Sequence, residues 1–202
     1  MALTIYGATL SRAARVLWMA KELGLDFKSV QISPDDTHVP ELLRVNPNGR
    51  IPAIDDDGVL LFESLAINLY LLKKHGGPLL PDNISDEGRM LQWSFWAMTE
   101  LEGPLVQLLL NVIRPGTISP ANVAAAAEKL PQVLSVLEGA LAGRDYLLGS
   151  AFTGADLNVA SVLSYLKTIV NYDFGSFPNI SAWTSRCLGR PAFNAAASVT
   201  AS

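Results

Sequence analysis

Two short segments of this 202-residue chain carry residue types suited to recognising a small peptide with a charged head: Asn46-Pro47-Asn48-Gly49-Arg50-Ile51-Pro52 and Glu63-Ser64. Gly49, Pro47 and Pro52 exclude a helix in the first. Pro52 stands where a short apolar strand, Ala53-Ile54, begins, a position at which the missing proline N–H is tolerated. Ile51-Pro52 is therefore a candidate cis bond. In that form the N–H and C=O of Ile51 turn outward and can pair with an extended peptide as though it were an added strand. Glu63-Ser64 falls where the next apolar run, Leu60-Leu61-Phe62, gives way to a helical pattern. Ser64 and the first amides of that helix suit a carboxylate, and Glu63 suits an ammonium. A ligand bearing both groups on one carbon meets those requirements.

The rest of the composition narrows the classes of function. A formal net charge of -4, a sequence pI near 5.1 and the lack of any lysine or arginine run leave no electrostatic footprint for nucleic acid or an anionic membrane surface. Hydrophobic residues make up 50% of the chain and mean hydropathy is +0.27, enough for a substantial core. The opening Met1-Ala2-Leu3-Thr4-Ile5-Tyr6-Gly7 lacks a basic region before an apolar run, and no apolar stretch reaches bilayer length, so a soluble cytoplasmic protein is expected. Cys187 is the sole cysteine, which excludes an intrachain disulfide and a CxxC pair. His38 and His75 lack the spacing of a zinc site, and no metal is expected.

The elements that must hold these residues follow from periodicity. Leu3 to Tyr6 alternates as a strand, Gly7 to Leu10 is a loop, and Ala13 to Leu23 is helical with Gly24 as its stop. Phe27 to Ile32 alternates with period two, and Pro40 to Val45 makes a short helix. Ala53-Ile54, an Asp56-Asp57-Gly58 turn and Val59 to Phe62 form an antiparallel hairpin, and Ala66 to Lys74 is a helix ended by Gly76-Gly77-Pro78. Gly76 to Asp86 reads as a linker. Beyond it the chain is helical, with one apolar stripe at Leu101, Leu105, Leu108, Leu109 and Val112, and another at Val123, Ala127, Leu130, Leu134, Leu137 and Leu141, kinked at Pro131. Thr153-Gly154-Ala155-Asp156 has the spacing of a helix capping box.

The combination of Asn-Pro-Asn-Gly-Arg-Ile-Pro, the acidic hairpin and Glu63-Ser64 resembles the glutathione site of the cytosolic glutathione S-transferases, with a first loop like that of serine-type theta or phi members. The resemblance implies a thioredoxin-like glutathione-binding domain over residues 1–76, a linker at 77–86 and an all-helical domain over 87–202. It also implies glutathione as co-substrate, a small hydrophobic electrophile as second substrate, a homodimer and a role in detoxification. The same resemblance brings the glutathione thiol near the loop from Gly7 to Ser11. A free thiol titrates near ~8.5, and each unit of depression needs about 1.4 kcal/mol of preferential stabilisation of the thiolate.

Ser11 is the first candidate to donate an O–H to that thiolate from the first turn of the helix, although its position suits ordinary N-capping equally. Thr9 and Tyr6 compete for the role, with a backbone amide as the remaining option. By the same resemblance Arg50 suits the glycine carboxylate beside Ile51 and Pro52, against a solvated loop charge, and His38 lies in a segment from which some members serve the same carboxylate, against an exposed loop histidine; Asn48 either helps there or serves the turn beside Gly49. Trp93, Trp96, Glu100 and Gly103 recur at helical spacing on a mainly core face, and Glu100 or Glu102 is the candidate to reach across a dimer interface to the γ-glutamyl ammonium. The Thr9-Leu10 loop and the Leu105 to Arg114 helix would line the apolar second site. A non-catalytic glutathione-binding or interaction protein is the alternative. A glutaredoxin-like oxidoreductase would need a cysteine in the first loop, and an isomerase of this fold a Ser-Ser-Cys loop, and neither is present.

Overall fold

The computed structural model describes residues 3–200, so Met1 and Ala2, on which the reading of the chain's start partly rests, lie outside it, as do Ala201 and Ser202. The chain divides into two units, Met1–Leu80 with Gly189–Ser202, and Pro81–Leu188. The first is a thioredoxin-like α/β unit and the second is helical.

In the first unit β1 (Leu3–Tyr6), α1 (Ala13–Glu22) and β2 (Phe27–Val30) make a parallel crossover, followed by α2 (Pro40–Val45), the hairpin β3 (Ala53–Asp56) with β4 (Val59–Phe62), and α3 (Ser64–His75). The sheet order is β2-β1-β3-β4, with β3 antiparallel to both neighbours and Tyr6 registered between Val30 and Ala53. Asp57 and Gly58 both take positive φ, 51° and 91°, as a two-residue hairpin turn of the right twist requires. Asp55 Oδ1 accepts from the Gly58 amide at 2.9 Å and holds that turn. β2 ends two residues before the alternation does, and α3 starts at Ser64, two residues earlier than expected, with Ser64 and Leu65 already buried in its first turn.

The first unit is closed by the end of the chain. α9 (Pro191–Ala197) returns to α1, where Phe193 meets Trp18 edge-on at 4.9 Å and Arg190 grips Glu22 through two hydrogen bonds of 2.6 and 2.7 Å. Such a planar fork on a carboxylate fixes orientation as well as energy.

Asp56, buried at the end of β3, accepts from Tyr70 Oη at 2.9 Å and from Lys74 Nζ at 2.6 Å. Burial pushes its carboxyl up, but the hydrogen bonds from Lys74 and Tyr70, with the lysine charge, outweigh it and hold the group below its ordinary value. A depressed folded value gives stability that is present above the unfolded carboxyl value of about 3.9 and lost as pH falls through the folded one. Thermal melts taken from pH 7 downward are expected to show the wild type losing stability below about pH 4 more steeply than Asp56→Asn, whose curve starts lower and is flatter. Parallel curves would contradict this.

The second unit contains α4 (Ile84–Trp96), a π-helical segment (Ala97–Leu101), α5 (Glu102–Ile113), α6 (Pro120–Ala140), α7 (Gly154–Tyr165), a second π segment (Leu166–Val170) and α8 (Pro178–Leu188). α4 begins inside the stretch read as linker, because Asn83 caps it by accepting from the Asp86 amide at 2.9 Å. α6 runs as one helix through Pro131, and its buried stripe uses Ala126 in place of the expected Ala127. The capping box at Thr153 and Asp156 is formed. Among the described residues no helix is long and apolar enough to cross a membrane, and no group of metal-ligating side chains gathers.

Candidate active site

The loop leading into β3 is built by Asn46. Its amide Nδ2 donates to the Arg50 carbonyl at 2.7 Å, and its Oδ1 accepts from both the backbone and the side-chain nitrogen of Asn48 at 3.1 Å. Asn48 thus serves the turn, and Asn46, absent from the candidate residues, is its organiser; the Asn-x-Asn-Gly spacing is the signal for it. Gly49 takes φ 59°, and a Cβ there would lie 3.2 Å from His38 Nε2. The His38 ring and the exposed Arg50 therefore flank one turn. The Ile51-Pro52 bond beyond it is cis, as its position at a strand start predicts.

β4 delivers Glu63 and Ser64 to the start of α3. Glu63 is exposed and takes φ 71° and ψ 108°, a region that non-glycine residues occupy only where surroundings enforce it, and such outliers cluster at functional sites. Its carbonyl accepts from the Ile67 amide at 2.9 Å, the first hydrogen bond of α3. Ser64 is buried in the first turn, where amides without helical partners favour an anion.

Gly7 joins the two halves of the site. Its φ is 140°, and a Cβ added there would stand 2.7 Å from Ala13 Cβ and 3.2 Å from Ile51 Cβ. The start of α1 and the Ile51-Pro52 edge approach each other only because position 7 lacks a side chain. Gly7→Ala is expected to destabilise the protein by about 1–3 kcal/mol by pushing the loop from Ala13 and Ile51. Denaturant melts check this, and an unchanged melt would contradict it. A glycine closing a strand was the available signal; its neighbours are a matter of tertiary packing.

The three hydroxyl candidates sit differently. Ser11 Oγ accepts from the Ala13 amide at 3.1 Å and donates to the Ala8 carbonyl at 2.7 Å, so it supports the turn into α1 with its lone pair while its proton rests on an exchangeable partner. Thr9 is partly exposed in the same loop, beside Leu10, whose side chain is 87% exposed and offers apolar surface at this end. Tyr6 is removed from the loop: it is 4% exposed, packs with Ile32, Leu42, Val45 and Ala53, and its hydroxyl accepts from Arg44 at 3.4 Å. The period-two pleat explains this, since residue 6 points to the α2 side of the sheet.

In the helical unit the projected face ending at Glu100 does not form. Five residues of π-helix at Ala97–Leu101 rotate the succeeding residues relative to an i, i+3, i+7 projection, leaving Glu100 exposed and Glu102 buried. Trp93 and Trp96 are half-buried and meet edge-on at 5.1 Å.

Comparison with known proteins identifies the class to which this geometry belongs. The family model described as glutathione S-transferase, N-terminal domain, matches residues 1–73, and that described as glutathione S-transferase, C-terminal domain, matches residues 105–191. A glutathione S-transferase of Hyoscyamus muticus is 36% identical, covering 97% of this chain and 98% of its own, and glutathione S-transferase 3 of Zea mays is 35% identical, covering 95% and 91%. Among solved structures, the theta class glutathione S-transferase of Xanthomonas axonopodis pv. citri with glutathione bound superposes with a TM-score of 0.89 at 26% identity, over 98% of each chain. Glutathione S-transferase-I bound with lactoylglutathione gives 0.87 at 30% identity, over 98% of this chain and 99% of the other. This chain belongs to the glutathione S-transferase family.

Proposed function

We propose that the protein is a glutathione transferase in which glutathione lies extended along Ile51-Pro52, its γ-glutamyl head at Glu63 and Ser64, its glycine carboxylate toward Arg50 and His38, and its sulfur at the loop bearing Ser11. The observation that carries this reading is the approach of the Gly7 backbone to both Ala13 and Ile51, which makes the start of α1 a neighbour of the peptide-binding edge. Activity requires that the thiol lose its proton to solvent. The Ser11 hydroxyl turns from the Ala8 carbonyl to the sulfur, exchanging one hydrogen bond for a stronger one to an anion. The thiolate then attacks an electrophilic carbon, a C–S bond forms, and the leaving group departs with its electron pair. Proximity along the edge supplies much of the remaining rate.

A cytoplasmic homodimer working in detoxification on small apolar electrophiles completes the proposal, with the exposed Leu10 contributing apolar surface beside the sulfur. The non-catalytic glutathione-binding reading has one observation in its favour, the engagement of Ser11 Oγ at both Ala8 and Ala13. Turnover separates the two. Incubated with glutathione and an activated aryl halide, the protein is expected to form the thioether well above the uncatalysed rate; calorimetric binding of glutathione without turnover would establish the carrier instead.

A further inference from the structure

We propose that Arg15 is a positioning residue that aims the Ser64 hydroxyl at the α-carboxylate of the glutathione γ-glutamyl group. The inference rests on the transferase reading and extends it to a residue one turn beyond Ser11. Arg15 lies in the sequence Ala13-Ala14-Arg15-Val16-Leu17, where every other side chain is apolar, and is 1% exposed. Its Nη1 stands 3.3 Å from Ser64 Oγ, and its carbonyl accepts from Asn68 Nδ2 at 3.4 Å. α1 and α3 are therefore joined at two points one turn apart, the first of them at the mouth of the α3 helix.

The direction of the first hydrogen bond is fixed by chemistry. A guanidinium has donors and no acceptor, so Ser64 Oγ accepts, and its single O–H must point elsewhere. A serine in a first helical turn otherwise has local backbone partners that compete for its rotamer. Held from beneath by a planar group that stays charged at every working pH, Ser64 presents its proton with the first amides of α3, and the charge adds to the positive end of that helix. Arg15 touches no ligand in this arrangement. Because α1 follows directly on the turn that bears Ser11, Arg15 also ties the sulfur end of the site to the carboxylate end.

A double-mutant cycle tests the assignment, with glutathione affinity measured by calorimetry for the wild type, Arg15→Gln, Ser64→Ala and the double variant, alongside kcat at saturating glutathione and thermal melts. Each single change is expected to weaken glutathione on the order of 10-fold, the loss of one hydrogen bond to a charged group, with kcat within about 3-fold of wild type. The double variant should bind no worse than Ser64→Ala alone. An analogue whose γ-glutamyl α-carboxylate is amidated should bind wild type and Arg15→Gln equally. Folded Arg15→Gln with wild-type affinity would overturn the proposal, as would a double variant whose loss is the product of the two. If Arg15→Gln does not fold, Arg15→Lys is carried through the same cycle and read by the same outcomes. Wild type that fails to bind glutathione refutes the transferase reading itself, a result distinct from wild type that binds while Arg15→Gln binds as well.

Discussion

Replacing Ser11 with alanine is expected to lower kcat/KM for glutathione conjugation about 100-fold at neutral pH while changing the affinity for glutathione only a few-fold. The size follows from losing one donor aimed at an anion in a protected site, about 2.7–4 kcal/mol. The same change raises the thiol of bound glutathione by about two units toward its free value near ~8.5, since each unit represents about 1.4 kcal/mol. The acid limb of the pH–rate profile moves with it, and activity recovers at high pH. Ser11→Ala also deprives the Ala13 amide of its 3.1 Å acceptor, a capping loss of about 1 kcal/mol that a melt reports separately. Thr9→Ala should leave the thiol where it is. Tyr6→Phe removes only the contact with Arg44 and should leave the profile unmoved. A Ser11→Ala enzyme with an unshifted acid limb would contradict the assignment.

The largest expected effect on stability belongs to Asp156→Ala in the helical unit. The carboxylate accepts from the amides of Leu147 at 2.8 Å and Thr153 at 3.0 Å, from the Thr153 hydroxyl at 3.1 Å and from the fully buried Trp183 Nε1 at 2.9 Å. Removing it leaves buried donors without acceptors at both ends of a loop and in the core, which costs about 3–5 kcal/mol. For a chain of this size that is a fall in Tm of about 6–20 °C. Burial pushes the Asp156 carboxyl up against the pull of its donors. A raised folded value ties stability to low pH and gives it up as pH rises, so Asp156, unlike Asp56, does not contribute to loss of stability in acid. Retention of wild-type stability in Asp156→Ala would show that the loop and Trp183 are held by packing alone.

Local chemistry was legible in the sequence, and tertiary proximity was not. The strands β1 and β4 and the helix α2 fall where alternation, glycine and proline put them, because their signals are complete within a few residues. The cis bond at Pro52 and the capping box at Thr153 were readable for the same reason. That Tyr6 points to the α2 side of the sheet emerges only from the assembled pleat. The aromatic stripe projected to end at Glu100 does not continue because periodicity assumes an unbroken α-helix, and the inserted π turn leaves no sequence mark. Ala127 gave way to Ala126 because alanines on adjacent positions carry the same hydropathy. Gly7 and Arg15 each had a local signal, a glycine closing a strand and a lone charge in an apolar helical run, but their contacts emerge only when α1, α3 and the Ile51 edge are assembled.

The most direct test is the ultraviolet absorbance of the thiolate of bound glutathione, recorded against pH in the wild type and in Ser11→Ala. A titration about two units below that of the free thiol is expected in the wild type, and a return to the free value in the variant. Bound glutathione that titrates like free glutathione in the wild-type protein would contradict the role given to Ser11 and the start of α1.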